Sequence, residues 1–170
     1  LISLGHTHIG IITNAALAYT ASTDRLTGYQ DALAEAGIPY EESLVQVGNF
    51  TTESGCLAMR ELLAMPERPT AVFVASDTVA LGALQAIHQA GLRAPEDVAL
   101  CGFDDIPLAK YITPSLTTIQ LPAYGLGWAA AEMLIRMISK DEIKNPYVIL
   151  NTELVVRDSC GAHRSQRHPE

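Results

Sequence analysis

The stretch from Arg68 to Ile106 constrains the fold more than any other part of the sequence, because it contains a complete strand–helix–strand unit. An apolar run at 71–75 follows Pro69, and its β-branched and aromatic content predicts a strand buried on both faces. A second apolar run, 98–101, predicts the next strand. Strands joined by a helical crossover lie parallel to each other. We therefore expect an α/β fold with a parallel sheet and helices on both faces.

The segment between these strands carries the signals of a helix. Ser76 stands at the N-cap position, and the Asp77 carboxylate lies in the first turn, where it favours the helix dipole. Apolar residues follow at helical spacing, and Gly91 is expected to end the helix in a left-handed conformation.

Polar residues follow both strands at their carboxyl ends. Ser76 and Asp77 follow the first strand, and Asp104 and Asp105 follow the second. Ligands of open α/β sheets bind at this edge, so we expect a binding site there. Adjacent residues leaving a strand point to opposite sides. One of the two aspartates is therefore expected to contact a ligand, and the other to be structural.

The remainder of the chain continues the alternation of strands and helices. Strands are predicted at 9–13, 44–47, 116–120 and 148–156. Helices are predicted from about Thr23 to residue 36, from Thr51 or Thr52 onward, and from Pro122 to Ser139. Residues 158–170 form a polar tail that is expected to fray.

Two residues outside the central unit are candidates for the site. Arg25 lies in the first turn of a predicted helix, where a cation opposes the dipole. It either faces an anionic or hydroxyl-bearing partner across the sheet edge or is solvated. Phe50 follows the strand at 44–47. It is either a stacking platform for a ligand ring or a loop aromatic that packs on the next helix.

Composition and motifs exclude several classes of function. A net charge of −8 and the lack of a basic face argue against nucleic-acid binding by this chain. Its three cysteines show no metal or redox spacing, and we expect free thiols in a reducing cytoplasm. His6 and His8 are interpreted as turn residues, so no metal site is expected. No nucleophile or cofactor motif is present, and no run is long enough to span a membrane.

The chain resembles the effector-binding region of LacI/GalR-family transcription regulators, which is similar to type I periplasmic sugar-binding proteins. The matching motifs occur in family order: LGHTHIGII (4–12), RLTGYQDALAEAGI (25–38), GNFTTESG (48–55), RPTAVFVASDTVALGAL (68–84), GLRAPEDVALCGFDDI (91–106), PSLTTIQLP (114–122), LGWAAAEMLI (126–135) and LVVRDS (154–159). The first residue is Leu1, within an apolar stretch, and we expect the chain to be truncated at its N-terminus.

The resemblance implies a two-lobed fold that closes on a small effector. One lobe is expected to be nearly complete: residues 1–121 and 143–158 form most of the carboxyl-terminal lobe. Residues 122–142 are expected to be the returning segment of the amino-terminal lobe, and residues 159–170 a disordered tail. The helix-turn-helix DNA reader of the family precedes this region and is absent from the chain, so operator DNA would be bound only through that missing domain.

The same resemblance implies the site residues and partners. The family's effector contacts correspond to Arg25, Phe50, Ser76 and Asp104, with Ser76 in place of the commoner Asn. The effector is expected to be a sugar or a purine, with no cofactor and no catalysis. A homodimer interface is expected at Leu81, Leu84 and Tyr111. The alternatives are an extracytoplasmic sugar-binding protein of a transport system and an enzyme on a flavodoxin-like sheet.

Overall fold

A four-stranded parallel sheet organises the fold. The structure is a computed structural model that describes residues 1–140 and 145–162. The sheet contains β1 (Ile9–Thr13), β2 (Val45–Val47), β3 (Ala71–Val74) and β4 (Ala99–Cys101), in the order β2-β1-β3-β4. All three pairings are parallel, and the central unit pairs Ala71 with Ala99. The prediction of an α/β fold around a parallel sheet is confirmed.

Helices cover both faces of this sheet. Helix α1 (Thr20–Glu35) packs its Tyr29 and Leu33 against Ile9 and Ile11 on one face. Helices α2 (Thr52–Leu63) and α3 (Asp77–Gln89) cover the other face and share the larger apolar core. Helix α1 begins at Thr20, three residues before the start predicted at about Thr23.

Two glycines bring α2 and α3 into close contact. A Cβ atom on Gly82 of α3 would overlap the Thr52 carbonyl oxygen, and one on Gly55 of α2 would overlap the carbonyl oxygen of Val79. A side chain at either position would therefore force the two helices apart. The close approach holds the first turns of both helices at the carboxyl edge of the sheet.

The chain leaves the sheet through a small antiparallel pair, β5 (Thr118–Gln120) and β6 (Glu153–Val155). Isolated bridges from Cys101 to Thr117 and from Asp104 to Gln120 join β5 to the exit of β4. The prediction of a strand over 148–156 is too long, because the ladder with β5 ends at Glu153. Residues 148 and 149 are exposed instead.

Helix α4 (Ala123–Ile138) differs from the other three helices in its packing. Within the described part of the chain, none of its side chains is buried. Its exposed residues include Tyr124, Trp128, Leu134 and Ile138, and the first two of these rings stack at 6.3 Å. The helix therefore presents apolar surface to solvent on more than one side.

The predicted tail begins later than expected. Residues Asp158–Cys160 form a 3-10 turn, and Ser159 and Cys160 are buried. Ser159 Oγ donates a hydrogen bond of 2.6 Å to the Leu100 carbonyl. The prediction of a disordered tail is thus wrong for residues 159–162, because this turn packs on β4. The rest of that tail, residues 163–170, lies outside the described residues, as do residues 141–144 at the predicted lobe boundary.

The predicted dimer surface is only partly exposed. Tyr111 is 73% exposed and Leu81 is half-buried, whereas Leu84 is 6% exposed and packs in the core of its own chain. Leu84 offers little surface to a partner because it is already buried in the larger apolar core. An interface here stays a prediction that depends on Leu81 and Tyr111.

The described residues contain no helix that combines the length and the apolar character needed to cross a membrane.

Candidate functional site

A cleft of about 340 Å³ lies at the carboxyl edge of the sheet. The four predicted effector residues, which come from four separate segments, all line it. They share the cleft with five further residues, and the full lining is Asn14, Tyr19, Thr20, Ala21, Arg25, Phe50, Ala75, Ser76 and Asp104. The parallel sheet produces this convergence, because β1, β2, β3 and β4 all end at the same edge.

The backbone of Asp104 is held in place by β5. Its N–H donates to the Ile119 carbonyl at 2.9 Å, and its carbonyl accepts from the N–H of Leu121 at 3.3 Å. The residue has a φ of 121°, a region that L-residues rarely adopt. Such conformations persist where the surroundings impose them and are frequent at binding sites.

Burial controls the charge state of the Asp104 carboxyl group. Loss of water raises its pKa above the ordinary value, while the Ser76 hydroxyl and the charge of Arg25 act in the opposite direction. Ser76 Oγ donates to Asp104 Oδ2 at 3.2 Å. The backbone N–H of Asp77 is a second donor to this carboxyl group and also lowers its pKa. Asp104 is therefore a half-buried carboxylate with two protein donors and acceptor capacity for more.

Arg25 provides a cation in the same cleft. Its guanidinium carbon lies 4.1 Å from the centre of the Phe103 ring, which holds the group by a cation–π contact. Burial lowers the pKa of Arg25, and the charges of Asp104 and Asp24 oppose that shift. Of the two alternatives for Arg25, the structure supports the one in which it has an anionic neighbour across the sheet edge.

Ser76 is the N-cap residue of α3, as predicted, but its hydroxyl has another use. An N-cap hydroxyl usually accepts from the first turn of its helix, whereas the Ser76 hydroxyl makes no capping bond to α3 and donates to Asp104 instead. A serine at this position thus orients the carboxylate of the neighbouring strand.

Phe50 and Tyr19 form an aromatic wall at the mouth of the cleft. Their ring centres lie 5.8 Å apart in an edge-to-face arrangement, and both rings are more than half exposed. The left-handed backbone of Phe50 (φ 55°) is stabilised by a 2.8 Å bond from its N–H to the Asn14 carbonyl. An exposed ring held in this way favours the stacking-platform interpretation of Phe50.

The sequence did not single out Tyr19 and Asn14. Asn14 follows β1 directly, so its position at a strand's carboxyl end was an available signal. Its side-chain oxygen accepts from Ser22 Oγ at 3.2 Å. Tyr19 lies in an irregular loop, and no periodicity could show which way it faces.

Asp77 and Asp105 are structural carboxylates near the cleft. Asp77 is fully buried and accepts from Thr118 Oγ1 at 2.7 Å and from the N–H of Ile106 at 3.0 Å. Burial raises the pKa of its carboxyl group. Asp105 forms a 2.6 Å ion pair with Arg157. The two adjacent carboxylates therefore have different neighbours: Asp104 lines the cleft, and Asp105 pairs with Arg157. This is expected of consecutive residues that leave a strand.

The histidine pair has protein partners. His6 Nδ1 lies 3.0 Å from Thr70 Oγ1, and His8 Nε2 lies 3.0 Å from the Glu67 carbonyl. Over the ranges 1–140 and 145–162, no cluster of three or more His, Cys, Asp or Glu residues could hold a metal ion.

Residues 1–160 match the family of the periplasmic binding protein-like domain. The Ribose operon repressor of Haemophilus influenzae is 43% identical over 159 residues, which cover 94% of this chain and 48% of that protein. The Probable HTH-type transcriptional repressor ExuR of Bacillus subtilis is 41% identical over 158 residues, which cover 93% of this chain and 47% of that protein. The chain spans about half the length of the curated relatives it matches.

Solved structures show the same architecture. A transcriptional regulator CelR–cellobiose complex superposes with a TM-score of 0.89 at 40% identity, covering 94% of this chain and 48% of that one. The lac repressor dimer bound to operator and the anti-inducer ONPF superposes with a TM-score of 0.85 at 30% identity, covering 94% and 54%.

Proposed function

This chain belongs to the periplasmic binding protein-like domain family, in the branch of the LacI-family regulators, and we propose that it senses a small effector for a transcriptional repressor. The resemblance found in its motifs is confirmed. Two similar proteins are named as repressors, and one similar structure is a repressor dimer on its operator. Those names favour a cytoplasmic regulator over a transport-binding protein. Binding would leave the effector unchanged, so the proposed role is not enzymatic.

The observation that supports effector binding is the meeting of Arg25, Phe50, Ser76 and Asp104 in one cleft. The carboxylate of Asp104 can accept from vicinal hydroxyl groups, and the guanidinium of Arg25 can donate to ring or hydroxyl oxygens. The aromatic wall offers a face for a ring. The cleft has one cation and one carboxylate, which suits a neutral sugar-like or purine-like molecule better than a phosphorylated one.

The mechanism that we propose is a population shift between two arrangements of a two-lobed protein. Residues 1–121 and 143–158 would belong to the carboxyl-terminal lobe, and residues 122–142 to the other lobe. An effector bound between the lobes would favour one arrangement and so change how the dimer presents its DNA-binding domains. The exposed apolar surface of α4 supports this assignment, since a second lobe would cover it.

The site is tested on the full-length protein by calorimetry. A thermal-shift screen of cellobiose, ribose and hypoxanthine, extended to related neutral sugars and purines, supplies a ligand. Asp104→Ala should weaken its binding by about 1.5–3 kcal/mol, roughly 10- to 150-fold, because charge-assisted hydrogen bonds are lost. Asp24→Ala is the matched control, since it removes an exposed carboxylate beside Arg25 that does not line the cleft. Equal affinity of Asp104→Ala and wild type would refute the site.

The proposed homodimer is tested separately, by sedimentation. A twofold contact would bury Leu81 and Tyr111 against their copies. Leu81→Asp should convert a dimer into monomers, because it places a charge in the apolar contact. Leu4→Asp is the control, since Leu4 is 37% exposed and lies in the 3-10 turn before β1, outside the predicted patch. A wild-type protein that is monomeric at micromolar concentration would contradict the proposal.

A further inference from the structure

Two of the three cysteines are in direct contact. Cys101 ends β4, Cys160 lies in the turn after β6, and their thiols are hydrogen-bonded to each other. They are 59 positions apart in the sequence. Both are free thiols.

The backbones that carry the two thiols are fastened together. Ser159 Oγ donates to the Leu100 carbonyl at 2.6 Å and accepts from the N–H of Thr117 at 2.8 Å. Thr117 is in turn bridged to Cys101. The residue before each cysteine is therefore directly bonded to its counterpart, and the thiol contact is part of a built seam.

The surroundings make the two sulfur atoms chemically different. The Cys101 thiol donates to Cys160 and lowers the pKa of Cys160 to about 5, with help from Thr117 and from the backbone N–H groups of Cys160 and Ala162. The same contact, together with burial, raises the pKa of Cys101. Cys160 Sγ also donates to the Arg157 carbonyl at 3.7 Å. Cys160 is thus the more acidic thiol of the pair, and the thiolate is the form of a cysteine that reacts with oxidants.

We propose that Cys101 and Cys160 are a redox-active pair that a peroxide converts into an intramolecular disulfide. The Cys160 thiolate attacks one peroxide oxygen, the O–O bond breaks, and the leaving hydroxide takes a proton to become water. The resulting sulfenic acid is then attacked by Cys101 sulfur. The S–S bond forms, and the hydroxyl leaves with the thiol proton as a second water. Two thiols are oxidised and one peroxide is reduced.

A small oxidant can approach the pair from the Cys101 side, whereas Cys160 itself is only 5% exposed. Cys101 is partly exposed and lines an apolar cleft of about 490 Å³, which also contacts Phe103 and Arg25. The disulfide would form three residues before Asp104, on the strand exit that carries the proposed effector contact. The redox proposal depends only on the thiol seam and holds whether or not the effector proposal is correct.

The third cysteine supplies a matched control. Cys56 lies on α2, is buried to a similar degree as Cys160, and has its sulfur 3.8 Å from Gln89 Oε1. It has no thiol neighbour among the described residues. It should therefore stay reduced under a dose that oxidises the pair.

The test treats the folded chain with a slight excess of hydrogen peroxide, then alkylates it in denaturant and maps its peptides without reduction. Wild type and Cys56→Ser should each lose two thiols and yield one peptide pair linked through Cys101 and Cys160. Cys101→Ser should instead accumulate a dimedone-trappable sulfenic acid at Cys160, and Cys160→Ser should leave Cys101 reduced.

Three results would overturn the proposal: wild type that retains three thiols, a disulfide that includes Cys56, or a linkage found between chains only. The wild-type peptide map decides the matter by itself, so a variant that folds poorly does not weaken the test.

Discussion

The sheet body (residues 9–120) and the α4 arm (residues 123–140 and 145–156) contain similar apolar residues but bury them to different extents. In the sheet body, each of β1, α2, α3 and β4 contributes a large aliphatic side chain that is completely buried: Ile11, Leu62, Ile87 and Leu100. In the α4 arm, Leu134 is 56% exposed and Ile149 is 92% exposed. The difference shows that apolar pattern predicts a helix or strand, whereas burial requires an opposing surface.

The comparison also indicates what the α4 arm is built for. Single exposed apolar residues are ordinary, but contiguous apolar surface marks a site that contacts another surface. Tyr124, Trp128, Ile135 and Ile138 are all more than 60% exposed on one helix. This pattern supports our proposal that residues 122–142 belong to a second lobe.

The largest predicted effect contrasts one leucine from each region. Leu62→Ala removes a fully buried side chain and should lower the free energy of unfolding by about 2–5 kcal/mol, because a cavity remains in the core. Leu134→Ala should change it by less than about 0.5 kcal/mol, as is usual for exposed positions. Urea unfolding of both variants, followed by circular dichroism, measures the two changes. Equal losses would mean that α4 packs against protein in solution and would break the comparison.

The sheet body could be predicted from sequence because its signals are local. Ser76, Asp77 and Gly91 mark the ends of α3 within a residue or two, and the apolar runs mark β3 and β4. The length of β6 could not be predicted in this way. Val148 and Ile149 have strand-forming side chains, but their pairing depends on how far β5 extends.

Some residues of the candidate site could be predicted from the sequence, and others could not. Residues that leave a strand, such as Asp104, are placed by topology, and the sequence identifies them. Tyr19 is placed by a loop and by its contact with Phe50, which no periodicity encodes. The ordered turn at 158–160 was missed for a similar reason, since its burial comes from a hydrogen bond to the distant residue Leu100.

The sheet body and the α4 arm also differ in how far their ion pairs are exposed. Arg157–Asp105 joins the sheet exit to the turn after β6, and Arg136–Glu132 lies on α4; both distances are 2.6 Å. The first pair is 16% and 12% exposed, and the second is 58% and 54% exposed. Arg157→Ala should destabilise the chain by about 3 kcal/mol, because the Asp105 carboxylate, which is only 12% exposed, loses its ion-pair partner. Arg136→Ala should cost about 0.3–0.5 kcal/mol.

The two arginine variants are compared at low and high salt. Only the small effect of Arg136→Ala should shrink as salt rises, because exposed charges are screened and buried ones much less so. If Arg157→Ala proves as mild as Arg136→Ala, the ion pair between the exit of β4 and the turn after β6 does not hold in solution.

The effects of the last two substitutions should differ in sign, and both substitutions are at helical glycines. Gly82→Ala places a Cβ against the Thr52 carbonyl between α2 and α3, which should cost about 1–3 kcal/mol as the helices separate. Gly127→Ala on α4 meets no heavy atom of the described residues within 4 Å. Alanine is the better helix former by about 0.5–1 kcal/mol, so this change should stabilise α4. Urea unfolding measures the first change, and the helical signal in far-ultraviolet circular dichroism measures the second. A loss of helicity in Gly127→Ala would show that another surface packs closely at this glycine, so that α4 is covered in solution after all.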